Sequence, residues 1–263
     1  MNAPSLKIGL WQGGGTNGDV NANLDDIERR TEEAARRGIN LLVFPECYLT
    51  GYLSGRVAEI AGLVTDAVLS RLEQISRHYN VALVVGSYEQ IDGGVANSAF
   101  VIDPERGRTT TYRKRMLFGS WEKAEFQRGT EPQCFSLNNV KIGVLICFDV
   151  EFPEQVRELA RLGAELIVVP TALMKPYDNI ARHLIVARAL ENQVFVAYAN
   201  RIGREGTLEF LGQSIIVAPD GDTLVQFGET EEVLLDADID VSKIIEARKE
   251  FSYLDEQSNA TSS

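Results

Sequence analysis

This sequence is poor in the residues that staple or metallate a fold. Its 263 residues include only three cysteines, Cys47, Cys134 and Cys147, and two histidines, His78 and His183. With no CxxC pair and an odd thiol left over, neither a disulfide framework nor a zinc site is expected. Two histidines cannot build a His-rich metal centre, and they also restrict which side chains can serve as a general base. Long apolar runs are missing too: none approaches the roughly 18 residues of a membrane span. The stretch Met1 to Ser5 lacks the basic and apolar regions of a signal peptide, so a cytoplasmic location is the expectation. Positive charge is scarce. A net charge of −12 repels phosphate backbones and argues against a nucleic-acid partner.

What remains is an ordinary globular composition, 44% hydrophobic and 24% charged, in a chain long enough to bury a large core. Buried-strand patterns at Leu6 to Trp11, "INLLVFPE", "VALVVGSY", "KIGVLI", "AELIVVP" and "QVFVAYAN" alternate with helical spacing at Val20 to Arg37, Thr65 to Tyr79, Pro153 to Leu162 and Asn179 to Glu191. "VANSAFVID" with "RTTTYRK" reads as a hairpin, as does "LEFLGQSIIVAPDGDTLVQF"; "EEVLLDADID" is a last strand before a short helix, Val241 to Arg248. Phe118 to Gly129 reads as an irregular aromatic segment. The class is α/β, with a mixed sheet or a pair of sheets. No linker divides the halves, so one domain over residues 1–254 is expected, followed by a frayed polar tail, Asp255 to Ser263. "QGGGTNGD" has neither the lysine nor the spacing of a phosphate-binding loop; it reads as a flexible connection and disfavours a nucleotide- or flavin-binding module.

In α/β sheets ligands sit outside the carboxyl ends of strands. There "LLVFPE" ends on Glu46, "TTTYRK" on Lys114 and "GVLIC" on Cys147: a carboxylate, an ammonium and a thiol. A free thiol is mostly protonated at neutral pH and attacks a carbonyl only after losing that proton. Glu46 can accept it, while Lys114 and a backbone N–H after the nucleophile can stabilise the resulting oxyanion. Histidine is the more usual base in cysteine hydrolases, but His78 and His183 fall within helices. Taken singly, each of the three residues also fits plain packing or solvation. Their joint placement carries the reading.

The segments "LLVFPECYLTGY", "YRKRMLF" and "GVLICFDVEFPE" resemble, in order and spacing, the catalytic segments of the nitrilase superfamily of carbon–nitrogen hydrolases, in its amidase-like branch. "ELIVVPTA", "ENQVFVAYANRIG" and "GQSIIVAPDGD" extend the similarity over nearly the whole chain. The resemblance implies an αββα sandwich that pairs into an αββα–αββα dimer or a multiple of it. It implies Glu46 as general base, Lys114 as stabiliser of the tetrahedral intermediate and Cys147 as nucleophile. Glu122, ahead of Glu125, matches a further glutamate that positions substrate or triad, and Phe148 supplies the oxyanion N–H. Neither metal nor organic cofactor is implied.

The implied reaction is hydrolysis of a small linear, non-peptide aliphatic amide to acid and ammonia through a thioester. The alternatives are N-carbamoyl amide, ω-amide or nitrile hydrolysis, or a catalytically inactive interaction module. Phe148-Asp149 replaces the Trp-Glu that usually follows the nitrilase cysteine, which favours amides. Met116 stands where the family often has histidine, and Val150 and Glu151 stand where an arginine would hold a carboxylate. Tyr52, Trp121, Phe118, Thr171, Ala172 and Met174 flank these segments and are the expected pocket walls.

Overall fold

Period-two alternation along the strands decides which residues face which layer. In the computed structural model, which describes residues 5–53 and 55–256, the strands are β1 (Ser5–Gln12), β2 (Leu41–Val43), β3 (Ala82–Ile91), β4 (Gly94–Asp103), β5 (Gly107–Arg113), β6 (Gln133–Leu137), β7 (Val140–Val144), β8 (Leu166–Thr171), β9 (Phe195–Asn200), β10 (Ile202–Glu205), β11 (Leu208–Leu211), β12 (Ile215–Val217), β13 (Thr223–Gln226) and β14 (Val233–Asp240). The helices are α1 (Val20–Arg36), α2 (Val57–Ala61), α3 (Asp66–Tyr79), α4 (Gly119–Glu125), α5 (Pro153–Arg161), α6 (Ile185–Asn192) and α7 (Ser242–Ala247).

One mixed sheet runs β14-β1-β2-β3-β4-β5 and a second runs β13-β12-β9-β8-β7-β6, with β10 and β11 as a separate pair. On β1 to β3, Leu6, Ile8, Leu10, Leu41, Val43, Ala82 and Val84 pack in one core with Ile142, Val144, Val168 and Ala197 of the other sheet. The alternate residues, Leu42, Leu83 and Val85, pack with Leu24 and Ile27 of α1 and Leu69 and Leu72 of α3. The far face of the second sheet is covered by Val156 and Leu159 of α5 and Ile185 and Ala189 of α6. The result is an αββα sandwich with its main core between the sheets.

Several local expectations change. Phe118 to Gly129 is not irregular throughout, because α4 occupies Gly119–Glu125. Its one buried residue is a glutamate, so hydrophobic periodicity had no signal to give. An edge strand, β6, precedes "KIGVLI" and pairs with β7 through Asn138 and Asn139, both at positive φ, the conformation tight hairpin turns require. "LEFLGQSIIV" is broken by Gly212 and Gln213, also at positive φ, into β11 and β12, which lie in different sheets. The helix expected from Asn179 begins as a π-turn, Ile180–Leu184, before α6. "QGGGTNGD" is tied down rather than loose: Asn23 bonds both N–H and C=O of Thr16, and Arg201 donates to the Gly14 carbonyl. Of the expected tail, residues 257–263 lie outside the described residues.

Candidate active site

The three residues expected at strand ends stand just beyond them. β2 stops at Val43, β5 at Arg113 and β7 at Val144, because the chain must leave the ladder before a side chain can turn across the sheet edge. The loop carrying Glu46 crosses β3 at Gly86, where an added Cβ would come within 2.4 Å of the Pro45 carbonyl oxygen. Only glycine permits that approach. Arg201, also buried, donates to the carbonyls of Glu46 and Cys47 at 3.2 Å each. It pairs with Glu205, whose carboxylate accepts the Tyr52 and Leu53 N–H groups at 2.8 and 2.6 Å.

Cys147 opens a 3-10 turn, Cys147–Glu151, at φ 45°. A positive φ outside glycine is strained and persists only where neighbours over-determine it. Asp149 does so. Its buried carboxylate accepts the Ile146 N–H at 3.0 Å, the Met116 N–H at 2.7 Å, the Arg115 N–H at 3.2 Å and the Tyr112 hydroxyl at 2.8 Å. One side chain thus fastens the cysteine turn to the segment that follows Lys114. Burial raises the Asp149 pKa, against the charge of Lys114 and these hydrogen bonds, which lower it.

Lys114 is fully buried and lies between two carboxylates, with Nζ 2.7 Å from Glu46 Oε1 and 2.8 Å from Glu122 Oε1. Burial alone would favour the neutral amine, but Glu122 and Glu46 outweigh it and hold the pKa well above the usual lysine value. Glu46 Oε1 also accepts from Asn97 Nδ2 at 2.7 Å, while among the described residues its Oε2 has no hydrogen-bond partner. Burial raises the Glu46 pKa, Lys114 lowers it and the charge of Glu122 raises it again. A carboxylate pushed upward in this way is a stronger base than a solvated one. Burial and the charge of Glu46 likewise push the Cys147 thiol well above its ordinary value, against Lys114 and a hydrogen bond from the Ala172 N–H. Burial and the Glu46 charge both favour the thiol, the form that must pass its proton to a base before it can attack, over the thiolate.

Cys147 lines a cavity of about 210 Å³ with Tyr52, Phe118, Phe148, Leu173, Met174, Tyr177 and Glu151. Of the residues expected to form its walls, Tyr52, Phe118 and Met174 line it; Phe148, expected to supply the oxyanion N–H, lines it as well. Trp121 instead packs behind Tyr52, with ring centroids 5.4 Å apart. Thr171 and Ala172 are buried and contribute backbone: the Thr171 carbonyl accepts the Glu46 N–H at 3.4 Å, and Ala172 reaches the thiol through its N–H. Glu122 is buried, Glu125 exposed. His78 and His183 are exposed on α3 and the π-turn. Sequence reasoning missed Asn97, Asn200, whose side chain accepts the Leu173 N–H at 2.8 Å and so fixes one wall, and Tyr177. A buried asparagine inside a strand pattern was the one available sign.

The carbon-nitrogen hydrolase family model matches residues 7–249. An (R)-stereoselective amidase from a Pseudomonas species is 37% identical over 251 residues, covering 95% of this chain and 90% of its own. The crystal structure of an amidase from Nesterenkonia sp. superposes with a TM-score of 0.84 at 34% identity, covering 95% of each chain. A mutant of the amidase from Nesterenkonia sp. AN1, at TM-score 0.83 and 33% identity over 94% of this chain and 95% of its own, carries the acetamide moiety of fluoroacetamide added covalently at its active-site cysteine.

Proposed function

This chain belongs to the carbon–nitrogen hydrolase family, and from that premise we propose that it hydrolyses small linear, non-peptide amides to a carboxylic acid and ammonia, with Cys147, Glu46 and Lys114 performing the chemistry. The observation that carries this reading is the buried cluster of Glu46, Lys114 and Glu122, whose charges act on a thiol that itself lines an apolar cavity.

The steps follow from the electrostatics. Glu46 Oε2 takes the thiol proton as Cys147 Sγ bonds to the amide carbonyl carbon. The carbonyl oxygen becomes an oxyanion beside the Lys114 ammonium and the Phe148 N–H. Collapse of the intermediate breaks the C–N bond, the proton on Glu46 passes to the departing nitrogen, and ammonia leaves a thioester on Cys147. Glu46, again a carboxylate, takes a proton from water as that water attacks the thioester. The second intermediate expels the thiolate, which recovers the proton, and the acid is released. Glu122 holds Lys114 in place throughout.

Ammonia release from butanamide, an N-carbamoyl amine, an ω-amide of a keto acid and a nitrile tests the reading. Hydrolysis of butanamide is expected; conversion of the nitrile alone would refute it. Cys147→Ala is expected to abolish turnover, and hydrolysis that survives it removes Cys147 as nucleophile. The protein is also proposed to self-associate. Exposed Leu162 just after α5, Leu190 on α6, Ile245 on α7, and Phe251 and Tyr253 in the segment that follows are the apolar groups a second copy would cover. Sedimentation at micromolar concentration checks this, and a monomer would refute it.

A further inference from the structure

The cavity holds one charged side chain that the reaction does not use. Glu151 lines it beside Cys147, among Phe118, Phe148, Leu173 and Met174. We propose that Glu151 determines specificity by binding a protonated amine on the acyl chain of the substrate, so that the preferred amides are short amino-amides. This deepens the amidase reading and rests on it.

The argument begins with partners. Among the described residues no side chain donates to the Glu151 carboxylate. The neighbouring cation, Arg188, is directed elsewhere: its Nε donates to the Val150 carbonyl at 2.9 Å, one Nη to the Glu151 carbonyl at 2.7 Å and the other to Glu191 at 2.9 Å. Lys114 is already held by Glu46 and Glu122. Tyr52, another polar wall residue, gives its hydroxyl to Glu122 at 2.7 Å. Half-buried among aromatic and aliphatic groups, Glu151 is desolvated in a way that raises its pKa, with Lys114 and Arg188 pulling it down. A carboxylate in that position gains most from a cation brought by the ligand and repels a ligand carboxylate.

Geometry places that cation. Cys147 and Glu151 are the two ends of one 3-10 turn. At about 2 Å of rise per residue, their backbones stand roughly 8 Å apart along its axis. The nitrogen released at Cys147 departs as ammonia, so a group reaching Glu151 must lie on the acyl side, beyond a short spacer. The net charge of −12 adds a long-range field of the same preference.

The experiment compares kcat/KM of the full chain on three amides of matched spacer: 4-aminobutanamide, pentanamide, in which a methyl replaces the ammonium, and glutaramate, which carries a carboxylate. The native protein is expected to favour 4-aminobutanamide over pentanamide by about tenfold or more, the scale of a charge-assisted hydrogen bond, with glutaramate poorest. In Glu151→Gln that ratio is expected to fall by about the same factor, mainly through KM. In Glu151→Arg the order of the charged pair reverses. Equal native rates on 4-aminobutanamide and pentanamide overturn the proposal, as does a ratio unmoved in Glu151→Gln. If that variant does not fold, the native comparison decides alone. A native protein that hydrolyses neither butanamide nor any of the three overturns the amidase reading itself, whereas one that hydrolyses butanamide but not 4-aminobutanamide overturns this assignment alone.

Discussion

Lys114 is flanked on one side by the loop after β2, which brings Glu46, and on the other by α4, which brings Glu122. Both carboxylates are buried and both touch Nζ at nearly the same distance, 2.7 and 2.8 Å. Their other bonds differ. Glu122 is engaged at both oxygens: Oε1 also accepts the Tyr52 hydroxyl at 2.7 Å and Oε2 accepts the Phe118 N–H at 2.7 Å. Glu46 shares Oε1 between Lys114 and Asn97, and among the described residues its Oε2 has no partner. A buried acceptor left without a partner is costly and gains most from receiving a proton, whereas both Glu122 oxygens are already engaged by donors. Hydrogen bonding thereby distinguishes two glutamates of equal charge in the way the proposed roles of base and strut require.

Removing the shared partner should have the largest effect. Lys114→Met leaves two carboxylates facing each other in a buried site, and such a loss of one ion-pair partner costs about 3–5 kcal/mol. Denaturant unfolding should show a drop of that order at neutral pH, together with loss of amide turnover. A stability unchanged at neutral pH would mean the carboxylates do not depend on Lys114.

Separating the two glutamates comes next. Glu46→Gln should retain the fold and lower kcat by about 10²–10⁴, the range of a lost general base. Glu122→Gln should keep a base and therefore keep an acid limb in its pH–rate profile. The sign follows from the electrostatics. In the proposed mechanism Glu46 works as a carboxylate, so activity is expected above its folded pKa and lost as pH falls through it. Burial first, and then the charge of Glu122, raise that pKa, while Lys114 lowers it. Removing the Glu122 charge should move the acid limb of kcat/KM to lower pH. A limb that moves upward or stays in place would reverse the assignment of strut and base.

This division was only half legible in the sequence. Glu46, Lys114 and Cys147 were legible through their joint placement at the ends of three strand-like runs, since each taken singly also fits packing or solvation. The same runs showed an α/β fold with strands buried on both faces, while the αββα sandwich came from the family resemblance. The site's fastening was not. Asp149 and Tyr112 are distant in sequence, and nothing local shows that four donors converge on one carboxylate. α4 was hidden because its buried face carries Glu122 in place of an apolar stripe. Glu151 could be read only as the absence of an arginine; its place in the cavity wall needed the turn that begins at Cys147.

The fastening gives a smaller test. Asp149→Asn presents an amide to four donors, so its N–H₂ must face at least one of them, and a lost buried hydrogen bond costs about 1–3 kcal/mol. Because Asp149 ties the cysteine turn to the Lys114 segment, kcat should fall while the acid limb set by Glu46 keeps its position. A shifted limb with unchanged stability would place Asp149 in the titration of the base instead.

The smallest expected effect lies on the strut itself. Tyr52→Phe removes one donor from Glu122 and leaves the aromatic ring that lines the cavity and packs against Trp121 and Phe210. Glu122 keeps its charge and its bonds to Lys114 and Phe118, so the loss should be about 1 kcal/mol of stability, the net worth of one hydrogen bond. Because that charge is unchanged, the acid limb should stay where the native protein has it, in contrast to Glu122→Gln. KM for a neutral amide such as butanamide should change little, with a few-fold decrease in kcat as Lys114 is held less firmly. Steady-state kinetics across pH, with denaturant unfolding of the same sample, measures all three. A limb displaced as far in Tyr52→Phe as in Glu122→Gln would show that the hydrogen bonds to Glu122, rather than its charge, set the pKa of Glu46.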